Sequence, residues 1–533
     1  MMATSEYPDT AASIKVLEPS RKPASLIRES PGLILLAIAI ADMWRFADPD
    51  LWGHVRFGQD ILNAGHAIWR DQYSYTASGH PWLNYEWLGE AVMAAMYGWM
   101  GVLGLKLMKL GCSALIIIFL AAAIGESGAL PIIQGSVLIV TAAMIVLQVQ
   151  IRPLLFTFLL LSTLLYLLAR DCREFADSRP VIRRSRLWLT IPMLAIWANL
   201  HAGFISGVVT LWTYAAVAGA QGWFARRSIT RMLRLGALAA FSTLATLANP
   251  YGIAMWHSVL RTVLNPYTSM FLNEWHPLLA SMETGSAAAM YYFAAIALIA
   301  LLGISLVLGP TGRDQPMVAI AGVMAAAAFM AVRNISIAAI AIAPPLACHL
   351  SLAISRRWPT IGSKSPSSAA RTALALTSAA ALLLFLLTGL FSNRLDALHS
   401  QPAGACEFMR QQHLKGNVLA QYSWGEYAIW HLSPDLKVFV DGRYDTVYPF
   451  PVLADYFRFQ FNLQDGTRAL TSYPTDFVLV APNDPARKLM DSERNWRLVY
   501  GDAVSLLYAR ANSSAAHLSG VPAIGDAPIV TFP

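Results

Sequence analysis

Runs of apolar residues that approach or reach the ~20 residues a helix needs to cross a hydrocarbon core recur about eleven times along the chain, and no other feature restricts its fold so strongly. They lie near 31–46, 102–124, 132–150, 154–170, 187–200, 204–224, 235–250, 288–309, 317–332, 335–354 and 373–391. A hydrophobic share of 56%, a charged share of 13% and a mean hydropathy of +0.48 fall outside the range of soluble chains. The fold class expected is a polytopic α-helical membrane protein with about eleven spans.

The net charge of +7 does not point to nucleic acid, because the cations collect in short segments between apolar runs, as in loops retained on the cytoplasmic side. The polar tail 1–30 carries Lys15, Arg21, Lys22 and Arg28, so the N-terminus is expected in the cytoplasm. With simple alternation, the basic segments 170–186, 226–234 and 356–371 also fall inside, as does the short turn 309–316. Asn199 with His201, the stretch 249–287 and everything after 393 fall outside. The tail has no small-residue cleavage site, so the first helix is expected to remain as an anchor. Of Cys112, Cys172, Cys348 and Cys406, only Cys406 reaches the outer compartment, so no disulfide framework follows, and no Cys or His spacing suggests a metal site.

Two outer loops are long: 47–90, and 251–287, which reads as an amphipathic segment on the membrane surface with Trp256, Tyr267, Phe271 and Trp275 around Asn273, Glu274 and His276. From 392 to 511 the apolar runs give way to strand-like pieces, LKVFVDGR, DFVLVAP and WRLVYGDAVSLLYAR, which predict a soluble outer α/β domain. The Ser, Ala, Gly and Pro-rich end, 512–533, is expected to be poorly ordered. No internal repeat and no matched pair of interrupted helices is visible, which argues against a transporter.

The loop 47–90 carries the densest chemistry. Asp48 and Asp50 flank a proline that keeps the chain extended, and such a pair serves as general base, orients an acceptor hydroxyl, shares a divalent cation, or simply ends a helix facing water. Leu51, Trp52, His54 and Arg56 follow, then Asp71, Tyr73, Tyr75, Trp82, Asn84, Tyr85, Glu86 and Trp87. Lys106, Lys109, Arg152 and Arg333 are cations at outer helix ends, costly unless paired. A lipid phosphate would suit them; pairing with the acids of the first loop, or snorkelling to headgroups, is the plainer alternative. His201 and His54 orient substrate or are hydrogen-bonded structural residues. Asp441, Arg443 and Asp445 in VFVDGRYD form either a plain Asp-Gly bend or, with Tyr422, Trp424 and Tyr427, a cover over the membrane portion.

Asp50, Trp52 and Arg56 resemble the first outer loop of the catalytic subunit of oligosaccharyltransferase. More broadly, the Asp-Leu-Trp, His, Gly, Asp, Tyr-Ser-Tyr and Glu-Trp-Leu pattern is similar to polyprenyl-phosphate-dependent GT-C glycosyltransferases, including bacterial membrane mannosyltransferase-like proteins. QYSWGEYAIW, at 421–430, resembles that subunit's Trp-Trp-Asp-Tyr-Gly region, with Trp424, Gly425, Glu426 and Tyr427 in its place. The chain departs from the pattern in the second outer loop, VQIRPLL, which has Arg152 where the subunit has an acidic pair.

The resemblance implies a GT-C-like membrane domain over 31–391 and an inverting transfer of one sugar from a polyprenyl-phosphate donor to a hydroxyl of a lipid, glycan or protein. The setting it implies is the outer face of a bacterial inner membrane, with the outer domain periplasmic. Asp50 is the expected base and Asp48 its helper. Trp52, Trp82 and Trp87 are expected to stack on sugar, and His54, Arg56, Asp71, Glu86, His201, Glu274, Trp424 and Tyr427 to contact substrate. Arg152, Arg333, Lys106 and Lys109 are expected at the lipid phosphate, and a divalent cation, Mg²⁺ or Mn²⁺, is compatible with the acids. The rivals are a transporter or flippase of a lipid-linked or anionic solute, and a non-enzymatic envelope assembly factor.

Overall fold

The computed structural model describes residues 30–44, 46–176, 186–226, 229–264, 268, 272–282, 288–309, 314–358, 368–389, 395–397, 400–518 and 530–532. The expected N-terminal tail, much of the basic segments, Tyr267 and Phe271 lie outside these residues. Each apolar run contains or coincides with a helix. Among the described residues, Trp87–Glu126, Leu154–Ala176, Phe204–Ala225, Ala289–Leu308 and Val332–Arg357 are long and apolar enough to cross a membrane. Pro31–Ala41, Pro131–Ile145, Gln315–Met330 and Thr372–Leu384 are shorter apolar helices. The chain is a multi-pass helical membrane protein.

These helices are apolar on every side, which in a membrane suits both the bundle centre and the lipid. Val332–Arg357 occupies the centre, with 72% of its apolar window buried, whereas Ala289–Leu308 is only 22% buried and turns Met290, Phe293 and Val307 outward. The central helix tolerates Pro344 and Pro345 because neighbouring helices enclose it. Trp87–Glu126 is two helices across a sharp turn at Met100 and Gly101; only glycine takes the left-handed φ of 59° there without strain. The apolar run expected from 102 begins just after that turn.

Much of the expected loop 47–90 is itself helical. Leu51–Ala64 starts at Asp50 and stops at Gly65, whose φ of 72° closes the last turn. It packs on Trp87–Glu126 on one side and on Gly425–Leu432 of the C-terminal domain on the other. The loop's second half pairs with that domain: Tyr75 N–H donates to the Val438 carbonyl (3.1 Å) and Val438 N–H to the Tyr73 carbonyl (3.1 Å). Arg443 then closes the joint. It lies 2.8 Å from Asp71 and 2.7 Å from Asp441, in a box of Phe57, Tyr73 and Trp82 rings.

The C-terminal region is a mixed α/β domain. Its strands are β2 (Gly416–Ala420), β3 (Leu436–Val438), β4 (Phe477–Val480), β5 (Trp496–Gly501) and β6 (Leu506–Arg510), in the order β3-β2-β4-β6-β5. β2 runs parallel to β3 and β4, and β4, β6 and β5 are antiparallel. The expected unordered end is corrected at its last described residues. β7 (Thr531–Phe532) pairs with β1 (Leu395–Asp396), because Phe532 is fully buried against Trp52, Tyr97 and Trp430.

Candidate active site

Asp48 and Asp50 stand where the chain enters the Leu51–Ala64 helix, and the Asp48 carboxylate accepts the Asp50 N–H at 3.0 Å. Arg152, in the turn before Leu154–Ala176, bridges the two, with Nη1 3.3 Å from Asp48 and Nη2 3.0 Å from Asp50. Asp48 is buried and Asp50 half-buried. Burial and the Asp48 charge push the Asp50 carboxyl up to about 6, against the pull of Arg152. Arg152, expected on a lipid phosphate, thus grips the acid pair, because two neighbouring carboxylates need a cation more than they can tolerate one another.

Beside Asp50 lies a second cluster. His54 Nδ1 is 3.2 Å from Glu90 and 3.8 Å from Glu86, and His201 Nε2 is 3.3 Å from the other Glu86 oxygen. Asn84 donates to the second Glu90 oxygen, and the Trp87 indole N–H to Asn199 at 3.0 Å. The Gly203 N–H (2.8 Å) and the Thr157 hydroxyl (2.9 Å) both meet His201 Nδ1, and Thr157 in turn receives the Trp197 N–H (3.0 Å). Nδ1 is therefore the acceptor and Nε2–H points at Glu86. Burial, followed by the charges of Arg333 and Arg152, holds the His201 imidazole well below its usual range. Burial outweighs the pull of His54 and pushes Glu86 up to about 7. For His54 burial works downward, but the Glu90 hydrogen bond and the charges of Glu86 and Glu90 win, and its pKa rises.

One ligand atom each of His54, Glu86 and Glu90 lie within 4.8 Å of one another, so these three residues fit a divalent cation. One nitrogen and two carboxylates suit Mn²⁺ or Zn²⁺ better than the all-oxygen preference of Mg²⁺.

The third part of the cluster comes from the turn Asn273–Trp275. Glu274 sits 3.0 Å from Arg333, whose guanidinium lies 4.4 Å above the Trp275 ring. Glu274 is exposed, and the charges of Arg333 and Arg152 hold its carboxyl below the usual range. Both arginines act on Glu274 and on His201, so Asp48, Asp50, His54, Glu86, Arg152, His201, Glu274 and Arg333 form one polar cluster of interacting charges.

Other expected site residues lie elsewhere. Trp52 is fully buried against Tyr427 and Phe532, and Trp82 wraps Arg443, so neither presents a face to sugar. Asp71 is buried on Arg443 and accepts the Ser74 hydroxyl and N–H. Trp424 donates to the Ser400 carbonyl from inside the domain, and Tyr427 is buried. Lys109 is buried 3.3 Å from the Asp42 carboxylate and bonds the Asp42 and Trp44 carbonyls; Lys106 is buried in the same helix. Arg56 pairs with Asp60 at 3.1 Å and opens on a separate cavity of about 430 Å³ with Gln59, Asn63 and Gly98. Trp87 is half-buried at the cluster's edge.

Glu90, Asn84 and Glu426 join the site without having been given a role from the sequence, whereas Tyr422, expected in the cover over the membrane portion, donates its hydroxyl to the Gly442 carbonyl at 3.3 Å. Glu90 is one helical turn after Glu86, a spacing that puts both acids on one face. Glu426 is buried in the first turn of Gly425–Leu432, and its carboxyl, like that of Asp50, lies against Gly442. Its signal was its place in the Trp-Gly-Glu-Tyr segment.

No family model and no curated protein matches the chain. Among solved structures, it is similar to arabinofuranosyltransferase AftD from Mycobacteria, with 14% identity, a TM-score of 0.44, and coverage of 92% of this chain and 40% of that one. It is also similar to ArnT from Cupriavidus metallidurans bound to undecaprenyl phosphate, with 13% identity, a TM-score of 0.46, and coverage of 92% of this chain and 98% of that one. The chain thus spans well under half of the AftD chain.

Proposed function

We propose that the protein is an inverting glycosyltransferase that moves one sugar from a polyprenyl-phosphate donor to an acceptor hydroxyl at the outer face of a bacterial inner membrane, with its N-terminus cytoplasmic and its α/β domain periplasmic. The observation that carries this reading is Asp50, a partly buried carboxylate held by Arg152 and pushed up to about 6, in a polar cluster that Arg333 joins through Glu274 and His201. A base of that strength is mostly ionised at neutral pH and still accepts a proton.

In the transfer, the acceptor oxygen bonds to the anomeric carbon while the bond from that carbon to the phosphate oxygen breaks. The electron pair leaves with the phosphate, and the hydroxyl proton goes to Asp50. Arg333, flat on Trp275 and exposed enough to change partner, takes the leaving phosphate through its planar fork. Arg152 keeps Asp50 oriented. Glu274 and His201 line the acceptor side. A divalent ion on His54, Glu86 and Glu90 would add positive charge beside the phosphate.

The test is incubation of the purified protein in lipid nanodiscs with a panel of polyprenyl-phosphate-linked single sugars, scoring sugar release and transfer. The expected result is turnover of one donor by the parent and its loss in Asp50→Asn. Movement of intact donor across vesicles without release would establish the transporter reading instead. A folded parent inert toward every donor would overturn the proposal.

A further inference from the structure

The C-terminal domain contributes one group to the cluster that the transfer chemistry leaves without a task. Glu426 is 3% exposed, and its Oε2 is a buried oxygen with no hydrogen-bond partner. Among the described residues it forms no ion pair. The nearby cation, Arg443, is held by Asp71 and Asp441. The charges facing Glu426 are Asp50, Asp441, Arg443 and Glu90, three of the four negative.

The chain makes room for this carboxyl with two glycines. A side chain on Gly53 would begin inside the Glu426 carboxyl. A side chain on Gly442 would begin 2.6 Å from Asp50 Oδ1 and 2.7 Å from Glu426 Oε1, so one oxygen of each acid converges on the space that the missing side chain of Gly442 leaves open. Asp50 Oδ2 is already on Arg152, leaving Oδ1 toward Glu426. An ionised carboxylate buried beside a second one, without a cation, is too costly to persist, whereas a neutral carboxyl is a hydrogen-bond donor.

Resting on the assignment of Asp50 as base, we propose that Glu426 is a positioning residue: a neutral carboxylic acid that donates its proton to Asp50 Oδ1 and, opposite Arg152, fixes the plane of the catalytic carboxylate. Asp50 belongs to the membrane domain and Glu426 to the C-terminal one, so the base is fully oriented only when the two are docked. The proton stays on Glu426 through the transfer. Asp50 takes the acceptor's proton on a lone pair that neither partner occupies and returns it to water.

The experiment compares Glu426→Gln and Glu426→Leu with the parent and with Asp50→Asn, in the same release assay and by infrared spectroscopy at about pH 7. Gln keeps a neutral donor toward Asp50, so Glu426→Gln is expected to lose no more than a few-fold in kcat. Glu426→Leu, lacking a donor, is expected to lose about 10-fold or more in kcat with the donor KM little changed. The parent-minus-Gln infrared difference should show the carbonyl stretch of one protonated carboxyl that shifts in D₂O. Parental kcat in Glu426→Leu, a Glu426→Gln protein that folds but is as inactive as Asp50→Asn, or the absence of the carboxyl band would each overturn the inference. The infrared readout needs no donor. A parent that shows the band yet turns over no polyprenyl-phosphate sugar therefore defeats the proposed function and leaves the Glu426 protonation state confirmed.

Discussion

At Asp50 a single oxygen separates two accounts of the protein. Asp50→Asn keeps the shape and the Arg152 contact but cannot accept a proton, so turnover should fall by roughly 10²-fold or more while donor binding, measured by equilibrium dialysis of labelled donor, barely changes. Parental turnover in that variant would leave the acidic pair as architecture. Arg333 is the complementary test. Arg333→Ala should weaken donor use about 10-fold while leaving the melting temperature nearly unmoved, because its pair with Glu274 is exposed. Arg333→Lys should recover only part, since an ammonium lacks the planar fork that lies on Trp275 and grips a phosphate. Equal donor use in all three proteins would remove Arg333 from the site. These acids and cations were legible in the sequence because a charge at the outer end of an apolar run has to meet a partner. The aromatics were not: Trp52, Trp82 and Trp424 look alike as letters, and only folding reveals that all three are buried against rings, Arg443 or backbone.

At the scale of elements, the joint between the first outer loop and the α/β domain rests on Arg443. Its guanidinium is 4% exposed, between Asp71 and Asp441 and against three rings. Removing the cation strands two buried carboxylates, so Arg443→Leu should destabilise the folded protein by about 3–5 kcal/mol, far more than Arg333→Ala, as read from thermal unfolding in detergent. A shift no larger than that of Arg333→Ala would show that the joint is held elsewhere. VFVDGRYD announced a turn with an Arg-Asp pair, but Asp71, far away in sequence, could not be assigned to it by local rules. The Leu51–Ala64 helix is a related case. Its buried Leu51, Val55, Gly58 and Ile61 repeat at helical spacing, yet chemistry crowded into 47–90 read as loop. The strands β3, β4, β5 and β6 were legible because alternating or fully apolar runs ended in Asp, Gly or Pro signals.

For the whole molecule, the proposed orientation rests on the placement of basic segments, and reporter fusions after residues 184 and 466 should read opposite sides of the membrane. Two reports from the cytoplasm would remove the proposed topology. The same molecule should show opposite pH dependence in stability and in activity. Asp50 and Glu86 are pushed up to about 6 and about 7 in the fold from ordinary values of 3.8 and 4.5. Between each ordinary and folded value the native state binds the proton and the unfolded chain does not, so stability from these two acids rises as pH falls through about 7 and about 6 and levels off below their unfolded values. His201 works the other way, since its folded pKa is depressed and its contribution is lost as pH falls below the unfolded 6.5. The informative quantity is therefore the difference between the parent and a protein carrying Asp50→Asn and Glu86→Gln. Melting temperatures from about pH 8 to about pH 5 should show the parent gaining on the variant as pH falls. Over the same range parental kcat/KM should fall through an acid limb near 6, because the proposed transfer uses the ionised form of Asp50 as its base. Parallel melting curves for the two proteins, or activity that persists well below that limb, would mean that the carboxyls of the cluster ionise as they do in water and that burial does not tune them.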